Sequence, residues 1–136
     1  MKLILFYAPS FWFKTFQKVL DQVPDREQEA LFEKAVVIFY QVEAEDEDRR
    51  SKVLTKFVKN VKWLAGKFGS RTVVLHSFNH LSASKAGPEF AGSLIDEACD
   101  RLERSGYTVG QTPFGYLNEW KLHVAGDSLA KVFKDL

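Results

Sequence analysis

The sequence predicts an α/β fold in which helices pack on a curved, mixed β-sheet. Apolar runs of strand length alternate with two longer stretches of helical periodicity, and glycine and proline mark the boundaries between them. The 136 residues include twelve Phe and three Trp, which a flat sheet would not bury, so we expect the sheet to be curved or partly closed. A chain of this length buries enough surface to fold as one domain without a metal or disulfide.

The amino-terminal third predicts three strands. Lys2 to Tyr7 is an apolar, aromatic run, and Phe11 to Val19 is rich in aromatic and β-branched residues. The turn-forming pair Pro9-Ser10 separates them, so we expect a hairpin. Asp21 to Gln28 is polar and is predicted to be a loop. Lys34 to Val42 is the clearest interior strand.

Two helices and a strand are predicted in the middle of the chain. The acidic run Glu43 to Asp48 precedes the first helix, where negative charge favours the helix dipole. That helix covers Arg49 to Phe68, with apolar residues recurring on one face. Thr72 to His76 follows as a strand. The second helix begins at Pro88 and ends at Gly106, residues typical of those two positions.

The carboxyl-terminal part predicts two further strands and a short helix. After the irregular segment Ser77 to Gly87 and the second helix, Tyr107 to Gln111 is predicted as a strand and Pro113-Phe114-Gly115 as a turn. Glu119 to Val124 alternates like a half-exposed strand, and Ser128 to Phe133 is predicted as a helix. The predicted order is therefore β β β α β α β β α.

Composition argues against several classes of protein. Nineteen basic and eighteen acidic residues give a net charge of +1, without the basic bias of an electrostatic nucleic-acid binder. The three histidines lack a convincing ligand spacing, so we expect no metal and no cofactor. Cys99 lies among apolar helical positions and is expected to be a core thiol, which fits a reducing compartment. No apolar stretch reaches the about 20 residues of a spanning helix, and a cytoplasmic protein is expected.

Two polar segments follow predicted strands, at the position where open α/β folds tend to bind ligands. They are Ser77-Phe78-Asn79-His80-Leu81-Ser82 and Pro113-Phe114-Gly115-Tyr116-Leu117-Asn118. A histidine after a strand is more often structural than catalytic, and a Pro-Phe-Gly turn alone defines no activity. Taken together in one chain, the two segments are more informative.

Short motifs surround these segments in a characteristic order and spacing over nearly the whole chain. They are Val42-Glu43 before the acidic run, Phe78-Asn79-His80-Leu81-Ser82, Arg104-Ser105-Gly106-Tyr107, Pro113-Phe114-Gly115-Tyr116, Trp120-Lys121-Leu122 and Gly126-Asp127-Ser128-Leu129-Ala130. Together they resemble the amino-terminal editing domain of archaeal threonyl-tRNA synthetases. The resemblance implies a D-aminoacyl-tRNA deacylase-like fold, with residues 1–136 as a single editing domain that is usually a homodimer.

The activity implied by this resemblance is hydrolysis of L-serine wrongly esterified to threonine tRNA. A synthetic site built for threonine rejects serine weakly, because one missing methyl group is worth only about 1–3 kcal/mol. The implied partners are the mischarged tRNA and the catalytic and anticodon-binding domains of the synthetase, on the same or a separate chain. The cytoplasm is the implied location, and no cofactor is implied.

The resemblance also implies a pocket between the two polar segments. His80, Asn118 and Gly115 are the candidate catalytic residues. The candidate substrate-binding residues are Ser77, Phe78, Asn79, Phe114, Tyr116, Leu117, Glu119 and Lys131. Val42 and Glu43 are the candidates for binding the terminal adenosine. The free 2′-hydroxyl of that adenosine is expected to orient the attacking water, and backbone N–H groups near Gly115 are expected to stabilise the oxyanion.

The chain departs from the family pattern near this pocket. Many relatives have Tyr-Lys where this chain has Leu117-Asn118, and an acidic residue common in the final helix is replaced by Lys131. A swapped charge pair between Glu119 and Lys131, or unrelated surface charges, would each account for the change. Two other functions stay open: a freestanding D-aminoacyl-tRNA deacylase, whose usual Ser-Gln-Phe-Thr and Gly-Pro-Val-Thr motifs are absent, and an inactive module that positions tRNA or mediates dimerisation.

The aromatic content near the amino terminus gives a second reason to expect a homodimer. Phe11, Trp12, Phe13 and Phe16 exceed what the alternating faces of one small sheet are expected to bury. A partner subunit would cover the excess.

Overall fold

A computed structural model describes all 136 residues as six strands and two α-helices. In chain order these are β1 (Lys2–Lys18), β2 (Glu29–Gln41), α1 (Arg50–Phe68), β3 (Thr72–Ser77), α2 (Pro88–Arg104), β4 (Thr108–Gln111), β5 (Tyr116–His123) and β6 (Lys131–Asp135). Short 3₁₀ helices cover Ala44–Arg49 and Ser128–Ala130. The predicted α/β class with a mixed sheet is confirmed.

The strands form one sheet in the order β4-β3-β2-β1-β5, and β6 pairs with the amino-terminal end of β1. β1 is antiparallel to β2, from Lys2 opposite Gln41 to Lys14 opposite Glu29. The pairs β2–β3 and β3–β4 are parallel, and each of these connections crosses over through a helix. The three parallel strands therefore bring their carboxyl ends to the same edge of the sheet.

The predicted hairpin at Pro9-Ser10 is wrong, because β1 continues through Pro9 as one long strand. Ala8 and Phe11 are three residues apart yet pack in the same core cluster, so the strand changes face between them. Lys34, in the gap of the β1–β2 register opposite Pro9, has a φ of 51°. Proline donates no backbone hydrogen bond and is tolerated at such an irregularity, which also bends the sheet.

The sheet has an apolar core on each face. A cluster of 23 buried residues packs α1 and α2 against one face, with Leu5 and Ile38 of the sheet among its members. The other face is concave and holds seven buried residues, including Phe13 and Phe39. On this face Phe32 of β2 lies so close to β4 that a Cβ added at Gly110 would be 2.5 Å from its ring. The sheet is therefore strongly curled, as the aromatic content predicts.

This concave core corrects the argument for a dimer from aromatic content. Phe11 and Phe13 are fully buried inside the single chain, and Trp12 is half-buried. Only Phe16 among the four is largely exposed, at 73%. The strand reverses its faces near Pro9 and the sheet curls, so one subunit covers more aromatic surface than regular alternation allows.

The helix predicted at Ser128 to Phe133 is also wrong. Only Ser128–Ala130 forms a 3₁₀ turn, and Lys131–Asp135 is a strand paired with β1, with Lys2 opposite Asp135. The backbone groups of β1 between Lys2 and Phe6 would otherwise have no partners on this side. Exposure alternates residue by residue along β6, which is the pattern of a strand.

The two predicted long helices are confirmed. α1 ends at Gly69, whose φ of 61° places it in the left-handed conformation that terminates many helices. α2 begins at Pro88. Cys99 on α2 is half-buried, and burial raises the pKa of its thiol to about 12, so it stays protonated at neutral pH. Neither helix combines the length and apolarity needed to cross a membrane.

Candidate functional site

A cavity of about 480 Å³ opens where the carboxyl ends of β2 and β3 meet the turn before β5. The parallel pairing of β2, β3 and β4 brings these segments together. The amide of Phe78, just after β3, donates to the carbonyl of Tyr40 on β2 at 2.9 Å, and the amide of Thr112, just after β4, donates to the carbonyl of Leu75 on β3 at 3.1 Å. Segments distant in sequence thereby form one wall.

Ten of the thirteen residues singled out from the sequence line this cavity. They are Val42, Ser77, Phe78, Asn79, His80, Phe114, Gly115, Tyr116, Leu117 and Asn118. Glu43, Glu119 and Lys131 do not line it. The two polar segments thus face the same space, although the individual role of each residue stays a prediction.

A buried side chain of β2 fixes the loop that follows His80. Gln41 is 2% exposed, and its Oε1 accepts hydrogen bonds from the amides of Leu81 and Ser82, both at 2.8 Å. Its Nε2 donates to the carbonyls of Ser82 and Ser84, both at 2.9 Å. One buried amide group therefore satisfies four backbone groups and holds the loop in place.

The opposite wall of the cavity is a tight turn at Gly115. This residue has a φ of 85°, and its carbonyl accepts a hydrogen bond from the amide of Val19 at 2.8 Å. Tyr116 adds a second anchor, because its hydroxyl donates to the carbonyl of Pro24 at 3.0 Å. The end of β1 and the loop after it thus fix the position of the turn. The backbone N–H groups of Phe114 and Gly115 donate to no group of the protein.

Asn118 presents an unpaired polar atom at the cavity wall. Its Oδ1 is buried and has no hydrogen-bond partner, while its Nδ2 donates only a long hydrogen bond, of 3.4 Å, to the carbonyl of Tyr116. A buried acceptor without a partner is costly and is rare in native proteins. The Oδ1 of Asn118 is thus an unsatisfied acceptor beside the cavity, and it is not itself accessible from the cavity.

His76 lies at the bottom of the cavity and is only 4% exposed. Its Nδ1 lies 3.0 Å from the hydroxyl oxygen of Thr112. Burial among aromatic rings, with Phe39 centred 4.6 Å away and Trp120 6.1 Å away, lowers the pKa of His76 to about 4. The imidazole is therefore neutral at neutral pH.

Glu43 binds other parts of the protein instead of facing the cavity. Its carboxylate accepts hydrogen bonds from the amino group of Met1 at 2.8 Å, from Lys2 at 2.7 Å and from the hydroxyl of Ser82 at 2.6 Å. Burial opposes ionisation, but these donors outweigh it and lower the pKa of Glu43 to about 2. Glu43 thus supports the loop after His80 from behind.

The charge pair considered between Glu119 and Lys131 does not form. Glu119 on β5 lies opposite Lys14 of β1, whereas Lys131 on β6 lies opposite Phe6, eight residues further along the same strand. The ammonium group of Lys131 donates to the carbonyl of Asp127 at 3.4 Å. The helix expected around Lys131 is a strand, which moves this residue away from the cavity.

The polar groups of the cavity limit its chemistry. No Asp or Glu lines it, so a carboxylate nucleophile and a Ser-His-Asp triad are both missing. No group of three or more His, Cys, Asp or Glu side chains is arranged to hold a metal ion. The cavity is lined by two histidines, Lys85, side-chain amides, hydroxyl groups and aromatic rings, and the N–H groups of Phe114 and Gly115 in its wall have no partner in the protein.

Comparison with known proteins identifies the family. A sequence model of the Archaea-specific editing domain of threonyl-tRNA synthetase matches residues 1–136. The chain belongs to this family. It is similar to the threonine–tRNA ligases of Hyperthermus butylicus, with 28% identity over 99% of this chain and 23% of the relative, and of Thermococcus onnurineus, with 26% identity over 100% and 22%. A third relative, from Methanoregula boonei, is 30% identical over 82% of this chain and 17% of its own length.

The editing domain therefore spans about a quarter or less of the length of the curated relatives it matches. Among solved structures it is similar to the c-Myc DNA Unwinding Element Binding Protein, with a TM-score of 0.65 over 100% of this chain and 99% of that one. At 10% identity this likeness shows the fold alone. The fold is D-aminoacyl-tRNA deacylase-like, as the resemblance of the motifs implies.

Several residues of the editing domain's cavity have no warning in the sequence. Gln41 and Thr112 support the site, and His76 belongs to β3 rather than to either polar segment, whereas Trp120 lines the cavity and lies in one of the motifs of the sequence. The polar members Gln41 and His76 stand inside apolar strands, next to Tyr40 and Leu75. A polar side chain within a buried strand is the one feature that could have indicated them.

Proposed function

We propose that this editing domain hydrolyses the ester between L-serine and threonine tRNA. The observation that supports the proposal most directly is the cavity of about 480 Å³ formed jointly by the segments after β3 and β4. This volume lies within the range of small-molecule sites and accommodates an aminoacyl group with part of the terminal nucleotide. The family membership supplies the reaction class, and the weak discrimination between serine and threonine supplies the need for it.

The turn at Gly115 is suited to stabilising the oxyanion of ester hydrolysis. Attack by water places negative charge on the carbonyl oxygen, and fixed N–H donors stabilise that charge. The N–H groups of Phe114 and Gly115 have no partner in the protein, and the turn is anchored by Val19 and Tyr116. We infer that these N–H groups, fixed in the cavity wall and free of partners in the protein, bind the oxyanion.

We infer that a group of the tRNA itself orients the attacking water. A general base must lie within about 3 Å of the water, and the cavity contains no carboxylate. The lysine common in relatives is Asn118 here. The 2′-hydroxyl of the terminal adenosine adjoins the 3′-ester by covalent structure, so it reaches the water whatever the neighbouring side chain. His80 is exposed and its ring lies 5.2 Å from that of Phe78, which suits support of the pocket more than proton transfer.

The test compares serine esterified to threonine tRNA ending in adenosine or in 2′-deoxyadenosine. We expect the deoxy substrate to bind with similar affinity and to be hydrolysed at least about a hundredfold more slowly, the usual magnitude for loss of a proton-transfer group. Equal rates would contradict the assignment. His80→Ala should weaken turnover without abolishing it. Hydrolysis of the D-seryl ester but not of the L-seryl ester would indicate a D-aminoacyl-tRNA deacylase. Hydrolysis of neither ester would indicate an inactive positioning module.

We further propose that residues 1–136 work as a single editing domain, in the cytoplasm, with threonyl-tRNA synthetase catalytic and anticodon-binding domains on the same or a separate chain. The net charge of +1 gives little electrostatic attraction for tRNA, so other domains are expected to provide most of the affinity. We also propose a homodimer, because Phe16 and Leu117 remain 73% and 52% exposed near the edge strand β5. Sedimentation that finds only a 15.6 kDa species at micromolar concentration would contradict the dimer.

A further inference from the structure

We propose that His76 recognises the side-chain hydroxyl of the bound amino acid and so makes the editing site selective for serine over residues without a hydroxyl. The inference rests on the proposed function, since it assumes that an aminoacyl ester enters the cavity. His76 is not one of the residues that the sequence motifs indicate, and its partner Thr112 lies 36 positions away in the chain.

The imidazole of His76 is fixed on one side and open on the other. Nδ1 is bound to the Thr112 hydroxyl, while Nε2 has no partner in the protein. The only buried side-chain polar atoms without a partner are Arg49 Nε and Asn118 Oδ1, so the unpaired Nε2 of His76 is not sealed in the core. Because His76 lines the cavity, that nitrogen reaches the cavity space.

The depth of His76 in the cavity determines which part of the substrate it contacts. The terminal nucleotide is joined to the rest of the tRNA and must stay at the mouth, where His80, Lys85 and Leu117 are exposed. The aminoacyl group is the free end of the substrate and is the part that can reach the bottom. His76, at 4% exposure, is there.

A hydroxyl is the chemical group that matches His76 best. The neutral ring presents Nε2 as an acceptor or as an N–H donor, depending on how the Thr112 hydroxyl binds Nδ1. A hydroxyl can donate to Nε2 or accept from its N–H and so fits both forms. An ammonium group can only donate, so it fits only the form in which Nε2 is an acceptor. The rings of Phe39, Phe11 and Trp120 surround the imidazole, with centroids 4.6, 6.1 and 6.1 Å away. In this apolar setting, a substrate without a hydroxyl leaves Nε2 unpaired.

The experiment measures single-turnover hydrolysis of L-serine and L-alanine esterified to the same threonine tRNA. These substrates differ only in the side-chain hydroxyl, and both keep the α-amino group and the 2′-hydroxyl. We expect the unmodified domain to favour serine by about tenfold to a hundredfold, the discrimination expected when one buried polar group loses its partner. His76→Phe should slow the serine ester by that factor and change the alanine ester by less than about threefold.

Companion variants separate recognition from folding. Thr112→Val keeps the ring and removes its anchor, so it should reduce the preference for serine in the same direction. His76→Gln restores a polar group and should recover part of it. His123→Phe makes the same exchange at an exposed histidine outside the cavity and should leave both rates unchanged. Thermal unfolding of each variant checks that it is folded.

Binding of non-hydrolysable amide analogues, seryl- and alanyl-3′-aminoadenosine, tests the same preference without turnover. If the serine analogue binds about tenfold more tightly and His76→Phe removes that difference, the inference stands even where no ester is hydrolysed, and only the proposed function fails. Equal binding and equal rates for the two amino acids would overturn the inference. So would a His76→Phe variant that weakens both by the same factor.

Discussion

The turn at Gly115 gives the sharpest test of how the fold builds the cavity. Gly115 has a φ of 85°, a backbone conformation that residues with a Cβ adopt at a cost of about 1–3 kcal/mol. A Cβ at this position would also lie 3.0 Å from both methyl carbons of Val23 and 3.2 Å from Cβ of Leu20. We therefore expect Gly115→Ala to lower the free energy of unfolding by about 2–4 kcal/mol, the backbone term plus a smaller contribution from overpacking.

The same substitution should also slow hydrolysis under conditions in which the domain remains folded. The positive φ and the contacts with Val23, which a movement of a few tenths of an ångström would relieve, both strain the turn, and we expect the N–H groups of Phe114 and Gly115 to move with it. A displacement of about 1 Å of groups that position a reacting centre can lower the rate by about a hundredfold, so the smaller shift expected here should lower it by less. Urea unfolding and single-turnover hydrolysis of seryl-tRNA measure the two effects separately.

Two further variants identify the cause. Val23→Ala combined with Gly115→Ala removes the close methyl groups and should recover the steric part of the loss, leaving the backbone part. Gly126→Ala is the matched control, because an added Cβ there meets no atom within 4 Å and the φ is ordinary. If Gly115→Ala unfolds at the same urea concentration as Gly126→Ala and hydrolyses its substrate equally fast, the reasoning about this turn is wrong.

Three other predictions concern stability. Burial lowers the pKa of His76 from 6.5 to about 4, so between these pH values the unfolded chain binds a proton that the folded domain does not. The free energy of unfolding should therefore fall by about 3 kcal/mol as the pH falls from 6.5 to 4. Urea titrations of His76→Phe should lack this fall. Glu43, with a pKa of about 2, stabilises the fold above pH 4.5 and loses this effect as the pH falls toward 2. Glu43→Gln should lower the free energy of unfolding by about 3 kcal/mol at pH 7 and should weaken its dependence on pH below 4.5. Gly110→Ala should lower the melting temperature through overlap with Phe32, by about 1–3 kcal/mol in free energy, and adding Phe32→Leu should restore most of it, whereas an unchanged melting temperature would contradict the close packing of β2 on β4.

Features that depend on local sequence could be predicted, and features that depend on distant partners could not. The long helices follow from apolar periodicity and from Gly69 and Pro88 at their ends. The sequence of β6, Lys-Val-Phe-Lys-Asp, has no alternation of polar and apolar residues, so its strand conformation follows only from its pairing with β1. Pro9 predicts a turn from local sequence alone, whereas its place inside β1 depends on the irregularity at Lys34 in another strand.

The candidate site shows the same division. The polar segments were recognisable because loops at strand ends carry polar residues that the core does not need. Gln41 was not recognisable, because its four hydrogen bonds join it to residues 81–84, about forty positions away. The anchoring of His76 by Thr112 likewise exists only once β3 and β4 lie side by side.

The placement of charge in this domain separates stability from chemistry. The buried carboxylates of Glu43 and Asp46 are bound by the amino group of Met1, and by Lys2 or Arg49. These acidic groups are committed to the fold, and none lines the cavity.

No carboxylate lines the cavity to act as a general base, and the ring nitrogens of His76 are assigned to Thr112 and to the bound amino acid. On the proposed function, the substrate's 2′-hydroxyl orients the water and passes its proton to the departing 3′-oxygen, and the protein contributes position, fixed N–H donors and selection of the amino acid. On the same proposal, Asn118, at the position where the motif resemblance implies a lysine in many relatives, changes how the ester is held and leaves the chemistry in place. On these proposals, selectivity depends on the deep pair of His76 and Thr112 and turnover on the turn at Gly115, so variants at the two places should separate binding preference from rate.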